Sequence, residues 1–460
     1  MSDHDARQDL RAFVDAFEQA HPGEVLRITE PVDLSFQMQA LALELERRRR
    51  FPILLFQTVR GHAIPVIANV MASRRGLAFA LGTDEERLHE TYARRLKDSL
   101  KPVVLDRPPF PVEIRRGADV DLGALPVPTY FPGDGGPYLS AGLVVARDPV
   151  SAVGTSGYHR FQVKGRARMG VSLHSRRRMF DYQRRAEAAG RSLECAIALG
   201  LHPAIGLGSL SYPPPEVSKF EVVGGLMGEP MQLRRAETVD LEVPAWAEIV
   251  IEGEILASER EPEGPFGEFT GYFSRRSTNH VFVARAIVLR HGAWFQSIAS
   301  GRAPDHILPL AVLREAEIRN ALRRVIPDVR AVHVPTSGGA SFTAYVSMRQ
   351  TRPGEAKHAI AVVFGVDHYV KLVVVVDEDI DVFDESDVLW AIATRAQADR
   401  DLVVINGSLG AILDPSASPE GLTAKLGIDA TRGQASAEKL VMAPEQMTWA
   451  RQLVDRLTRG

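Results

Sequence analysis

At 460 residues the chain exceeds what one hydrophobic core holds, so two or three domains are expected. It is 45% hydrophobic and 25% charged with a formal net charge of -3, which excludes a dedicated nucleic-acid binder, whose affinity needs a concentrated basic face. Cys195 is the only cysteine, which excludes disulfide frameworks and multi-cysteine metal sites.

The opening MSDHDARQDLRAF is polar and lacks the apolar core of a signal peptide. Helical spacing follows at 5–20 and 36–49, a buried strand (IPVIANVM) at 64–71, and an amphipathic helix at 85–100, ended by Lys101-Pro102. From 111 to 310 strands dominate: LVVAR at 143–147, YHRFQV at 158–163, EIVIEGEIL at 248–256 and VFVARAIVLR at 281–290. Short β-branched runs punctuated by Gly and Pro predict a barrel-like antiparallel sheet, interrupted by helices near 177–189 and 216–227. Cys195, in LECAIALG, reads as a small core residue. A helix at 305–325 leads into KLVVVVDEDID, VLWAIATRA and DLVVI, the strand–helix–strand rhythm of an α/β layer whose first strand is buried on both faces. The expected class is mixed α/β, in three parts: 1–110, 111–310 and 311–460. No apolar run reaches the ~18 residues of a membrane span, so a cytoplasmic setting without membrane or nucleic-acid partners is expected. No GxGxxG passes from a strand into a helix, so a dinucleotide fingerprint is absent.

Two segments carry chemistry. In PEGPFGEFTGY, residues 262–272, Glu263 and Glu268 bracket a Gly-Pro-Phe-Gly turn. Paired carboxylates suit proton transfer, because differing surroundings push their pKa values apart; a solvent-facing turn would look the same on spacing alone. In GTSGYHRFQVKGRARMGVSLHSRRR, residues 154–178, a Thr-Ser-Gly turn offers N–H groups and hydroxyls to an anion. Arg160 follows, suited to a substrate carboxylate or to a structural ion pair, and His174 lies further on. Arginine clusters at Arg47–Arg50 and Arg176–Arg178 complete the inventory, the first reading as a solvated face.

EGPFGEFTGY resembles the signature of the UbiD family of prenylated-FMN decarboxylases. DGGPYLSAGLVVARDP (134–149), LEVPAWAEIVIEGEI (241–255), SGRAPD (300–305), VVDEDIDVFDESDVLWAIATR (375–395) and LTAKLGIDAT (422–431) resemble it in the same order. The resemblance implies a mixed N-terminal domain, a central flavin-binding split barrel and a C-terminal α/β domain that mediates homodimers or larger homo-oligomers. It implies prenylated FMN from a flavin prenyltransferase, an unsaturated or aromatic carboxylic acid as substrate, and CO2 as product, in a reversible reaction. Arg160, Glu263 and Glu268 match the catalytic network. Thr155, Ser156, Gly157, His174, Ser209, Ser211 and Lys371 match cofactor contacts, and Lys219 is added to them. The family's divalent metal (Mn) and K+ fit poorly, since its asparagine and glutamate ligand positions fall on Thr155 and Lys219 and only His174 is kept. Lys219 is expected to meet the phosphate directly, with Glu221 as the alternative metal ligand. The substrate pocket is expected around Ala303–Leu313 and Leu409–Pro415, with His306 and Arg302 binding a second carboxylate or a heteroatom, or with Arg302 and Asp305 forming a structural turn. Three other readings compete: a two-carboxylate glycosidase, an FMN oxidoreductase on the same barrel, and a non-catalytic subunit of the same fold.

Overall fold

The computed structural model describes residues 7–173, 178–431 and 440–457. Its first helix, Leu10–Ala20, starts where the Asp9 side chain accepts from the Arg11 amide, and buries Leu10, Phe13, Val14 and Phe17 at helical spacing. These side chains pack on a four-stranded sheet, Val25–Ile28, Ile53–Phe56, Val66–Ala68 and Phe295–Gln296 in that order. The expected strand at 64–71 is only three residues long, and its outer partner comes from a segment more than two hundred residues later. The helix expected at 85–100 is confined to Leu88–Arg95, with turns on both sides.

The central sheet has nine strands, built on a long antiparallel hairpin, Ile249–Glu263 with Ser277–Arg290. A register shift between Glu252 and Gly253 bends the hairpin; a side chain at Gly253 would meet the Val283 carbonyl at 2.0 Å, so only glycine fits. The single strand expected at 158–163 is two strands, Gly154–Tyr158 and Phe161–Val163, broken at His159 and Arg160. The first ends one side of the sheet beside Leu143–Arg147, while the second pairs near the opposite side with Arg168–Val171 and Tyr138–Leu139. Two residues span that distance only because the sheet curls until its sides approach, a half-barrel with Arg160 on its seam. Helices Arg178–Ala188 and Lys219–Met227 fall near their expected places; Pro203–Leu210, apolar nearly throughout and buried, was not anticipated.

Helix Pro304–Leu322 leads to a five-stranded sheet in which Leu372–Asp377 is central and parallel to both neighbours, Thr343–Met348 and Leu422–Ala430. Val373 to Val376 are fully buried, as their unbroken apolar run requires. Helix Glu385–Arg395 and edge strand Leu402–Leu409 were expected; helix Glu355–Val366, which covers the sheet, was not. Cys195 is a core residue, its thiol pushed up by burial. Among the described residues no helix is long and apolar enough to cross a membrane.

Candidate active site

Arg160 stands at the strand break, and Glu263 is the last residue of the long Ile249–Glu263 strand. The guanidinium meets that carboxylate twice: Nε donates to Oε1 at 3.0 Å and Nη2 to Oε2 at 3.2 Å. Its Nη1 donates to Oε1 of Glu268 across a very short contact, and Nη2 also reaches Ser274 Oγ at 3.4 Å. Glu263 is fully buried and accepts a further bond from Asn279 Nδ2 at 2.8 Å, while Glu268 is 6% exposed. The ring of Phe266 covers the guanidinium, 5.0 Å from its centroid. The three side chains therefore form one buried network in which Glu263 orients Arg160, and Arg160 carries Glu268.

The loop bearing Glu268 is pinned from outside. Asp134 accepts from the Gly267 amide at 3.0 Å and from the amides of Tyr130 and Phe131. Gly135 N–H donates to the Pro265 carbonyl at 2.8 Å, and Gln162 Oε1 accepts from the Gly264 amide. A side chain at Gly135 would lie 2.5 Å from the Gly264 carbonyl oxygen, so a glycine is needed for the approach. Burial raises the Asp134 carboxyl above its ordinary value and pushes the Tyr138 phenol up. DGGPYLS thus serves as the frame of the carboxylate loop, a role that spacing alone does not reveal.

Arg160 and Glu268 face a cavity of about 580 Å³, whereas Glu263 stands behind them and does not line it. The same cavity is lined by Thr155, Ser156, Gly157, Ser209, Ser211 and Lys219. Ser156 Oγ donates to Ser209 Oγ at 2.8 Å, Ser211 Oγ to the Gly208 carbonyl at 2.6 Å, and Lys219 Nζ to the Ser209 carbonyl at 2.7 Å. Lys371 is the exception among the expected contacts. Its ammonium binds Asp414 Oδ2 at 2.6 Å and Ser416 Oγ at 2.7 Å, and it does not line the cavity, because a carboxylate of its own domain claims the charge. His174 lies outside the described residues.

His306, Pro309 and Leu310 line the cavity from helix Pro304–Leu322, and Gly410 to Leu413 line it from the loop after strand Leu402–Leu409; Arg302 does not line it. Burial, reinforced by Arg160, lowers the pKa of His306, so its ring is neutral near pH 7. Asp305 accepts from the amides of Asn69 at 2.9 Å and Met71 at 2.8 Å, stapling the helix start to the N-terminal sheet; burial drives its carboxyl up to about 7. Arg178 of the Arg176–Arg178 cluster, Phe266, Arg314 and Tyr369, which sequence reading did not place in the site, reach this cavity from two helices and two loops.

The cavity is of cofactor size, and its hydroxyls with the Lys219 ammonium suit a flavin bearing a phosphate. The donors do not suit a divalent cation. Among the described residues no group of three His, Cys, Asp or Glu side chains converges, and Glu221, the alternative ligand, accepts from Ser99 Oγ at 3.2 Å and does not line the cavity.

Known proteins resemble the chain over nearly its whole length. The N-terminal, Rift-related and C-terminal domains of 3-octaprenyl-4-hydroxybenzoate carboxy-lyase match residues 18–96, 103–303 and 308–430. Anhydromevalonate phosphate decarboxylase of Methanothermobacter thermautotrophicus is 33% identical over 436 residues, 94% of this chain and 98% of that protein. The UbiD-class enzyme HmfF of Pelotomaculum thermopropionicum, in complex with FMN, superposes with a TM-score of 0.90 at 35% identity, covering 96% of this chain and 99% of that one. An evolved dimeric form of the same enzyme, in complex with prFMN, gives 0.87 at 34% identity over 95% and 98%. The three domain matches, together spanning most of residues 18–430, and these relatives make the chain a member of the UbiD family and a carboxy-lyase.

Proposed function

We propose that the protein catalyses the reversible, non-oxidative decarboxylation of an α,β-unsaturated or (hetero)aromatic carboxylic acid with prenylated FMN. The observation that carries this reading is Arg160 held between Glu263 and Glu268 at the wall of a cofactor-sized cavity. Losing CO2 from an sp2 carbon leaves an electron pair with nowhere to go; the prenylated flavin supplies the electron sink.

The chain's own residues do the rest. Arg160 binds and orients the substrate carboxylate, a planar anion that suits a guanidinium fork. Glu268, the carboxyl that lines the cavity, delivers the proton that replaces CO2 at the vacated carbon. Glu263 touches neither substrate nor cofactor; it positions Arg160 by its paired hydrogen bonds. Phe266, Phe269 and Ile298 present apolar surface that excludes water from the acid. Thr155, Ser156, Gly157, Ser209, Ser211 and Lys219 hold the cofactor. We place the mixed N-terminal domain in 1–110, the flavin-binding barrel in 111–310 and the C-terminal domain in 311–460, with assembly as a homodimer or larger homo-oligomer through the last.

Co-expression with a flavin prenyltransferase, followed by absorbance and cofactor mass, tests the reading. A prenylated flavin mass with a spectrum unlike FMN, and CO2 release from an aryl-acrylic or heteroaromatic acid, is expected. A folded protein that stays colourless would overturn it.

A further inference from the structure

We propose that this chain holds the flavin's phosphate with two fixed cations of its own, Lys219 and Arg178, in place of a divalent metal. The inference rests on the flavin reading above and deepens it. Lys219 is 7% exposed and lines the cavity beside the hydroxyls of Ser156 and Ser209, with its ammonium held on the Ser209 carbonyl. It is also the first residue of helix Lys219–Met227, whose N-terminal amides add to the positive potential there.

Arg178 lines the same cavity from the start of helix Arg178–Ala188. Nη1 donates to the Val217 carbonyl at 2.9 Å, and Nη2 to the carbonyls of Pro213 and Pro214. All three acceptors are neutral, and among the described residues no carboxylate pairs with Arg178, so the guanidinium clips the loop leading into Lys219 and still offers charge to an anion. Pro213 and Pro214 each precede a proline, which restricts ψ and with it the direction of the carbonyl.

The carboxylates that a metal would need are spoken for. Among the described residues only Glu268 and Asp305 bring acidic side chains to the cavity, one bound to Arg160 and the other to the amides of Asn69 and Met71. Residues 174–177, His-Ser-Arg-Arg, contribute no carboxylate by sequence. Mn2+ or Mg2+ prefers anionic oxygen ligands, and a buried ammonium beside its seat opposes it. An ammonium is instead an established kind of phosphate partner, acting as a point charge.

The test is titration of the full-length chain with FMN, using riboflavin, which has no phosphate, as the control. Metal analysis is expected to find far less than one divalent ion per chain, and EDTA to change FMN affinity less than ~2-fold. Lys219→Met, close in volume, is expected to weaken FMN ~10- to 100-fold while leaving riboflavin unchanged, and Lys219→Arg to recover most of the loss. The preference for FMN over riboflavin should shrink as salt is raised. If Lys219→Met does not fold, Arg178→Gln and competition by inorganic phosphate read the same preference. One divalent ion per chain, or FMN binding that EDTA abolishes and Mn2+ restores, overturns the two-cation cradle but leaves the flavin reading standing. Failure of both FMN and riboflavin to bind a folded chain overturns the flavin reading, and the cradle with it.

Discussion

Arg160 and Glu263, 103 residues apart in the chain, share two hydrogen bonds of 3.0 and 3.2 Å from Nε and Nη2. Glu263 is fully buried, so the pair is not a surface ornament; removing either member leaves the other charge desolvated. The same guanidinium uses its remaining nitrogen for Glu268, which reaches the cavity. One side chain thus couples a carboxylate buried behind it to one that faces the cavity.

Glu268→Gln keeps the shape and removes the acid. Turnover is expected to fall by ~10²- to 10⁴-fold, with flavin content unchanged. Measuring CO2 release together with bound flavin checks this; near wild-type turnover would remove Glu268 from proton delivery.

Arg160→Lys preserves charge but cannot bond Glu263 through two nitrogens and Glu268 through a third. We expect a loss of more than ~10-fold in kcat/KM, with KM contributing, because substrate orientation and the acid's position fail together. Steady-state kinetics decide it, and an unchanged KM would detach Arg160 from substrate binding.

Gly135→Ala tests the frame of the loop. Its new carbon would stand 2.5 Å from the Gly264 carbonyl oxygen and 2.7 Å from Gln162 Nε2, so the segment between the two glutamates must shift. A stability loss of ~1–3 kcal/mol is expected from the overpacking, with a larger fractional loss of activity than of fold. Calorimetry beside an activity assay separates the two, and equal activity at full stability would show that the loop does not depend on this contact.

Glu315 is fully buried on helix Pro304–Leu322, where it accepts from Arg74, His333 and the Val334 amide. Burial alone would raise its carboxyl, but Arg74 and His333 hold it down at about 2. A group depressed in this way gives stability that is present above its unfolded value near 4.5 and lost as pH falls towards 2. Glu315→Gln should cost ~3–5 kcal/mol near neutrality and flatten that acid limb, measured by denaturant unfolding across pH.

Asp305 has the opposite sign. Burial raises its carboxyl from 3.8 to about 7, so the native protein keeps a proton that the unfolded chain has released within that window. Its contribution is therefore fully present below pH 3.8 and declines as pH rises through about 7. The stability difference between the wild type and Asp305→Asn is expected to shrink from pH 4 to 7; a difference that grows with pH would mean the two amide donors outweigh burial.

Much of the chain is legible without coordinates. The Leu143–Arg147 strand and the doubly buried Leu372–Asp377 strand follow from apolar runs between turn residues, and helix Pro304–Leu322 from its length and spacing. Helix Pro203–Leu210 was missed because an element apolar on nearly every side has no amphipathic period to find. That Lys371 stands off the cavity is not legible locally, because Asp414 and Ser416, which take its charge, lie more than forty positions away.

The sequence by itself determined the fold class, the turn that carries Glu263 and Glu268, and the hydroxyl-rich segment that holds Thr155 and Ser156, because periodicity and turn chemistry belong to neighbouring residues. Only the tertiary structure decided that the sheet curls, that the break at His159 and Arg160 crosses from one side of it to the other, and that Glu263 stands behind the arginine while Glu268 faces the cavity. Such relations depend on strand order and burial, which are set by packing between segments a hundred residues apart, and no local pattern encodes them.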